Sequence, residues 1–290
     1  MQSIIGNLII RGLIYKMKFA IAYYKDNIAG KNIVEEFKKI STLNPPILKL
    51  EKETIYSNDI SKEKYPELED IDFLVFASTH RSEKGEPSLC IHATGNWKKA
   101  ELGGQPEQIC PTSSFVLKYL FKELNSNARN LTNYNITLEV THHGPSINLP
   151  CCFIEIGSQE KQWKDTKACK IIAKTIASLN NYQSNKNWIP ALGIGGPHYA
   201  PIFNQIQLNS EYAIGHIIPQ YSLPITTKML HEAKSKTIEE LKEVLIDWKG
   251  CGNSESRSQI INLLKESSLN YKRTSEVEKL NQSNVNLFKL

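Results

Sequence analysis

The sequence predicts an α/β fold: a single domain built on a mixed β-sheet with helices on both faces. Three observations point to it. Short β-branched or aromatic runs alternate along the chain with longer stretches of 3.6-residue period. The run Asp72-Phe-Leu-Val-Phe-Ala-Ser78 is apolar almost throughout, as a strand covered on both faces is. No repeat, and no Pro/Gly/Ser-rich linker, divides the middle of the chain.

The elements follow in order. Lys18-Phe-Ala-Ile-Ala-Tyr-Tyr24 reads as the first strand, directly after Met17. Residues 1–16 are apolar but interrupted by Asn7 and Arg11, with no basic start and no small-residue cleavage site. They read as an extension before a domain that starts at Met17, not as a signal peptide. A helix is expected over 31–40, strands over 72–78 and 88–92, and a helix over 112–125. In 135–141, Ile136, Leu138 and Val140 share one face and Thr137, Glu139 and Thr141 the other, which is strand alternation. Strands follow at 151–156, 188–193 and 212–218, with helices at 160–180, 226–234, 237–248 and 254–267. The domain is expected to run over 17–270, with 271–290 a polar tail rich in Asn and Ser.

With 290 residues, 40% of them hydrophobic and 22% charged, the chain is neither collagen-like, low-complexity nor largely disordered. The net charge of +5 tolerates an anionic partner without demanding one. No segment approaches the roughly 20 apolar residues that span a bilayer. Six cysteines, none in a C-x-x-C pair, read as buried reduced thiols of a cytoplasmic protein.

Five of the seven histidines lie at the ends of predicted strands in Gly/Pro-bearing turns: His92, His142, His143, His198 and His216. Ligands of open α/β sheets bind beyond the carboxyl ends of strands, so these imidazoles are candidates to converge there. Continued alternation past Thr141 would point His142 and His143 opposite ways, so that only one, with His143 favoured, reaches a common site. Glu155 is the sharpest anomaly, a carboxylate inside the apolar strand Cys151-Cys-Phe-Ile-Glu-Ile-Gly157. Such a group must be paired, hydrogen-bonded or bound to a metal. Imidazole and carboxylate are ligands for catalytic Zn²⁺, and His/Glu pairs also do metal-free acid–base work. The catalytic candidates are therefore His143, Glu155, His198 and His92. The metal-ligand candidates are His142, His143, Glu155, His198 and His216.

Gly193-Ile-Gly-Gly-Pro-His198 does not fit G-x-G-x-x-G and reads as a turn that lets something approach the backbone. Gly195 and Gly196 are candidates for an oxyanion hole. The predicted helix 160–180 carries Lys164, Lys167, Lys170 and Lys174 on one face with Trp163, either a solvated face or a phosphate-tracking stripe. Trp97, Lys98 and Lys99 lie closer to the histidine turns and are the better candidates for gripping a nucleic-acid end.

Five motifs in this order, His92-Ala-Thr-Gly-Asn-Trp97, Thr141-His-His-Gly-Pro145, Glu155-Ile-Gly-Ser-Gln-Glu-Lys-Gln-Trp163, Gly193-Ile-Gly-Gly-Pro-His-Tyr-Ala-Pro201 and Gly215-His-Ile-Ile-Pro219, resemble the archaeal and plant type of D-aminoacyl-tRNA deacylase. The similarity runs from about Met17 to Trp248. It implies hydrolysis of the ester between a D-amino acid and the 3′ end of tRNA, a zinc requirement, a monomer, and a fold like peptidyl-tRNA hydrolase and phosphorylase-like domains. Chirality would be set by pocket shape, either a wall that rejects the L side chain or misplacement of the L substrate's carbonyl. The competing expectations are a peptidyl-tRNA hydrolase or zinc amidohydrolase, and a non-catalytic tRNA-binding module.

Overall fold

The computed structural model describes residues 16–280. The expected extension therefore lies outside the described residues except for its last residue, as does the tail from residue 281. Twelve strands and seven helices are described: β1 Phe19–Tyr24, α1 Ile28–Ile40, β2 Ile47–Leu50, β3 Phe73–Thr79, β4 Ser88–His92, β5 Gly95–Asn96, β6 Gln108–Ile109, α2 Ser114–Asn127, β7 Asn135–Leu138, β8 Cys151–Gly157, α3 Glu160–Trp163, α4 Thr166–Ala177, β9 Ile189–Ile194, α5 Pro201–Asn209, β10 Tyr212–Ile218, α6 Thr227–Lys236, β11 Glu243–Ile246, α7 Ser254–Glu266 and β12 Tyr271–Arg273.

The strands form a six-stranded sheet in the order β2-β1-β3-β8-β4-β7, a four-stranded sheet β10-β9-β11-β12, and the small pair β5-β6. The first sheet is mixed, because β4 runs antiparallel to β8 while its other pairs are parallel. The second is all parallel. Helices α1, α2 and α4 bury their apolar stripes against one face of the first sheet, through Ile33, Phe37, Leu120, Ile172 and Ile176. Gly30 is what lets α1 come so close, since a Cβ there would stand 2.4 Å from the Ala77 carbonyl oxygen. The opposite face is covered by the segments around Ile60, Leu68, Ile147 and Leu149 rather than by long helices. The second sheet has helices on both sides, α2 and α5 on one and α6 and α7 on the other.

Helix starts follow capping chemistry. Asn27, Ser113, Asp165 and Asn253 each accept hydrogen bonds from first-turn amides of α1, α2, α4 and α7. Asp165 is also why the predicted helix 160–180 is not continuous: it ends one short helix and caps the next. The helix expected over 237–248 is instead strand β11. Val244 and Ile246 face one core while Leu245 faces the other, a period of two in a run too short for helical spacing to settle. Strands β2 and β12 and helix α5 go beyond the sequence reading. Helix α5 opens on Pro201 at its first turn, where a missing N–H is harmless. Tyr271–Arg273 pairs with β11 at the start of the expected tail. All six cysteines are buried and free.

The predicted strand 135–141 stops at Leu138, because the chain then crosses to the second sheet. The Glu139 amide still donates to Ile91 O at 3.1 Å, but Val140 N donates to His198 O at 3.0 Å and Thr141 N to Ile217 O at 3.1 Å. This short crossing ties the two sheets together beside the functional side chains.

Candidate active site

The face of the first sheet that lacks long helices carries a polar row. Ser78 is opposite Glu155 across β3–β8, and Glu155 is opposite Cys90 across β8–β4. Two residues along, and hence on the same face, lie His92 and, just beyond β7, Glu139. His80 follows β3, His142 and His143 follow the crossing, and His198 follows β9.

These groups converge. Glu139 is buried and central. Its carboxylate oxygens stand 3.0 Å from His80 Nδ1, 3.5 Å from His142 Nε2, 3.5 Å from His198 Nε2 and 3.8 Å from His92 Nε2. The Glu155 carboxylate lies 3.7 Å from His92 Nε2 and 3.8 Å from His80 Nδ1. The rings of His142 and His143 are 4.3 Å apart, as are those of His92 and His142. The cavity has a volume of about 450 Å³, and its walls include Asn27, Tyr56, His80, His143, Glu155 and Trp163.

Both His142 and His143 reach the site, contrary to the alternation expected from sequence. His143 has φ of +43°, in the left-handed region that a non-glycine residue rarely adopts, and this breaks the alternation. The Thr94 hydroxyl donates to His143 O at 2.7 Å and the Gly95 amide donates to it at 2.8 Å, holding that backbone in place.

Three imidazoles share one hydrogen-bonding pattern. His92 Nδ1 lies 3.0 Å from Ala93 O, His142 Nδ1 2.8 Å from Val140 O, and His143 Nδ1 2.7 Å from Gly144 O. A carbonyl only accepts, so each Nδ1 carries the proton and each Nε2 keeps a lone pair. His92 Nε2 and both Glu139 oxygens are buried without a well-formed hydrogen bond. Ligand atoms around a tetrahedral zinc sit about 3.4 Å apart, given metal–ligand lengths of about 2.0–2.1 Å. The Glu139 separations of 3.5 Å to His142 and His198 match that edge. His92, His142 and His143 bring their ligand atoms within 4.8 Å of one another, as do Glu139, His142 and His198. The donor set fits zinc, with carbonyl-anchored imidazoles of the kind that surround bound metals.

The two acids differ electrostatically. Burial pushes Glu139 up, but its hydrogen-bonding partner His198 leads the effects that outweigh burial and hold the carboxyl well below the usual range. Burial pushes Glu155 up to about 7, aided by the charge of Glu139 and opposed by His143 and His80. Burial pulls His143 down to about 4 and His142 well below its ordinary value, with neighbouring imidazoles adding to the effect. For His198 burial pulls downward, yet the Glu139 carboxylate wins and raises it. Burial also keeps the Cys90 thiol protonated behind Glu139.

Other sequence candidates lie elsewhere. His216 is fully buried among Trp97, Thr141 and the strands of the second sheet, and it joins none of the metal-competent groups among the described residues. Trp97 is buried and its indole N–H donates to Ile217 O at 3.0 Å, so its ring is not free to stack a base. The amides of Gly195 and Gly196 already donate to Ile218 O and Gly250 O, which removes them as an oxyanion hole. Lys98 and Lys99 are exposed, Lys98 donating to Leu223 O, and neither lines the cavity. Lys164 is exposed and pairs with Glu160 at the end of α3. Sequence reasoning missed His80 and Glu139. His80 ends a strand as the other histidines do and so carried the signal already in use, whereas Glu139 shares a strand face with Thr137 and Thr141 and reads from sequence as part of a polar face.

A model of the D-aminoacyl-tRNA deacylase family matches residues 67–272. The D-aminoacyl-tRNA deacylase of Pyrococcus abyssi is 37% identical over 228 residues, covering 78% of this chain and 82% of that protein. That of Methanocaldococcus jannaschii is 31% identical over 255 residues, covering 84% and 95%. A crystal structure of a conserved protein of unknown function superposes with a TM-score of 0.84 at 26% identity, covering 92% of this chain and all of that one.

Proposed function

The chain belongs to the D-aminoacyl-tRNA deacylase family, and from that premise we propose that its histidine–carboxylate cavity hydrolyses the ester between a D-amino acid and the 3′ end of tRNA. The observation that carries this is the meeting of His80, His92, His142, His143 and His198 with Glu139 and Glu155 in one cavity region. In the reaction water adds to the acyl carbon, the acyl–oxygen bond breaks, and the ribose oxygen takes a proton. Glu155, held up to about 7 by burial, is suited to take the proton from water near neutral pH. His198, whose hold on its proton the Glu139 carboxylate strengthens, is suited to return one to the ribose oxygen.

Zinc fits the same site. His92, His142 and His143 would hold it through Nε2, with Glu139 alongside. When bound, zinc supplies a Lewis acid beside the ester carbonyl. The aminoacyl ester is labile already, so positioning and a modest electrophile suffice. No described helix is long and apolar enough to cross a membrane. A tRNA substrate would be met in the cytoplasm.

The test is a deacylation assay on D- and L-tyrosyl-tRNA, with and without a chelator. The reading expects D-selective hydrolysis that a chelator suppresses and zinc restores. Equal rates on both enantiomers overturn it, and cleavage of N-blocked aminoacyl-tRNA alone overturns it in favour of a peptidyl-tRNA hydrolase.

A further inference from the structure

Arg81 follows His80 in the loop after β3 and lines the cavity. Its side chain is exposed, and its guanidinium carbon lies 5.5 Å from the ring centre of Trp163. Among the described residues, no carboxylate stands within ion-pair distance of it, whereas Lys25, after β1, is paired with Glu51. Trp163 is a fixed plane. Its indole N–H donates to His80 O at 3.2 Å, and its own carbonyl accepts from Asn32 Nδ2 at 2.9 Å. A guanidinium held near such a ring by cation–π attraction loses part of its freedom, and its planar set of N–H donors suits a bidentate anion.

The cavity is electrically lopsided. Asp26 and Glu53 enter its rim from the loops after β1 and β2, whereas Arg81 and Trp163 enter the rim from the segments after β3 and β8, with Glu155 buried deeper on β8. An esterified acceptor end has no free carboxylate. It offers a cationic α-amino group on one side of the ester and phosphodiesters on the other. The nearest phosphodiester is one ribose from the reacting carbon, and Arg81 is one residue from His80. Guanidinium and phosphate oxygens match in geometry and charge.

We propose that Arg81, seated on Trp163, binds the phosphate 5′ to the terminal nucleoside of the tRNA. This rests on the deacylase reading above, and for that one phosphate it replaces the grip expected of Lys98 and Lys99. The experiment compares D-tyrosyl esters of adenosine and of adenosine 5′-phosphate, alongside D-tyrosyl-tRNA. For the natural sequence the phosphate raises kcat/KM by roughly tenfold or more, the scale of one charge-assisted contact. In Arg81→Ala that advantage disappears, and in Arg81→Lys part of it stays. On tRNA, Arg81→Ala raises KM far more than it lowers kcat, and the slope of log affinity against log salt shrinks by about 0.7. An unchanged phosphate advantage in Arg81→Ala overturns the proposal while leaving the deacylase reading intact. Failure of the natural sequence to hydrolyse any of the D-esters overturns both.

Discussion

Two buried histidine environments stand side by side in this molecule, and they are opposites. At the cavity, His92, His142 and His143 give their Nδ1 protons to backbone carbonyls, and His92 and His142 turn bare Nε2 atoms toward buried carboxylates, Glu139 for both and Glu155 for His92. At the joint between the sheets, His216 places Nδ1 3.1 Å from the Thr141 hydroxyl, which already accepts from Ile217 N at 3.0 Å. Nε2 of the same ring is buried with no hydrogen-bond partner, and among the described residues no carboxylate pairs with it. Burial pulls His216 down to about 4, as it does His143, so burial alone does not separate the two. What separates them is the carboxylate. A strand-end imidazole with an acid in reach can hold a metal or move a proton; one without an acid is packing.

The comparison breaks first, and by the widest margin, at Glu155. Glu155→Gln should lower kcat by roughly 10²- to 10⁴-fold, the range of a lost general base. The natural protein should gain activity as pH rises through about 7, where a carboxyl pushed up by burial becomes ionised, and lose it again at higher pH as His198 gives up its proton. The variant should lose that rise, and a pH–rate profile on both reads it. Next comes metal content. If the site takes zinc as proposed, His142→Asn should purify with little of it by elemental analysis, whereas His216→Asn should match the natural protein; equal loss in both would erase the distinction. His216→Asn should instead lower unfolding stability by about 1 kcal/mol, for the lost hydrogen bond to Thr141, with kcat within about twofold. Smallest of all, Lys98→Ala and Lys99→Ala together should change kcat/KM on tRNA by less than about threefold, because both lie on the surface outside the cavity.

Much of this was legible in the sequence. The hydrophobic runs marked β1, β3, β4, β8, β9 and β10 because buried strands cannot hide their composition. Glu155 stood out for the same reason. Three kinds of information were not local. The fate of 237–248 depended on which core each of Val244, Leu245 and Ile246 would meet. The direction of His143 depended on a left-handed backbone that Thr94, nearly fifty residues away in sequence, holds in place. The usefulness of Gly195, Gly196 and Trp97 depended on whether their N–H groups were free, and tertiary partners occupy all three. Gly195 and Gly196 do adopt positive φ, +98° and +82°, so the turn was correctly read as a glycine turn, but its purpose is to seat the backbone against Asp247 and Cys251.

The crossing at 139–141 has a consequence for the growing chain. Val140 and Thr141 bond to carbonyls of His198 and Ile217, residues synthesised long after them. A nascent polypeptide that ends before His198 has Glu139, Glu155 and four of the five imidazoles but no clasp to hold the crossing against the second sheet. The histidine–carboxylate cluster therefore closes late, once residue 217 has emerged from the ribosome, and on the deacylase reading shorter fragments of this protein should be inert towards any ester.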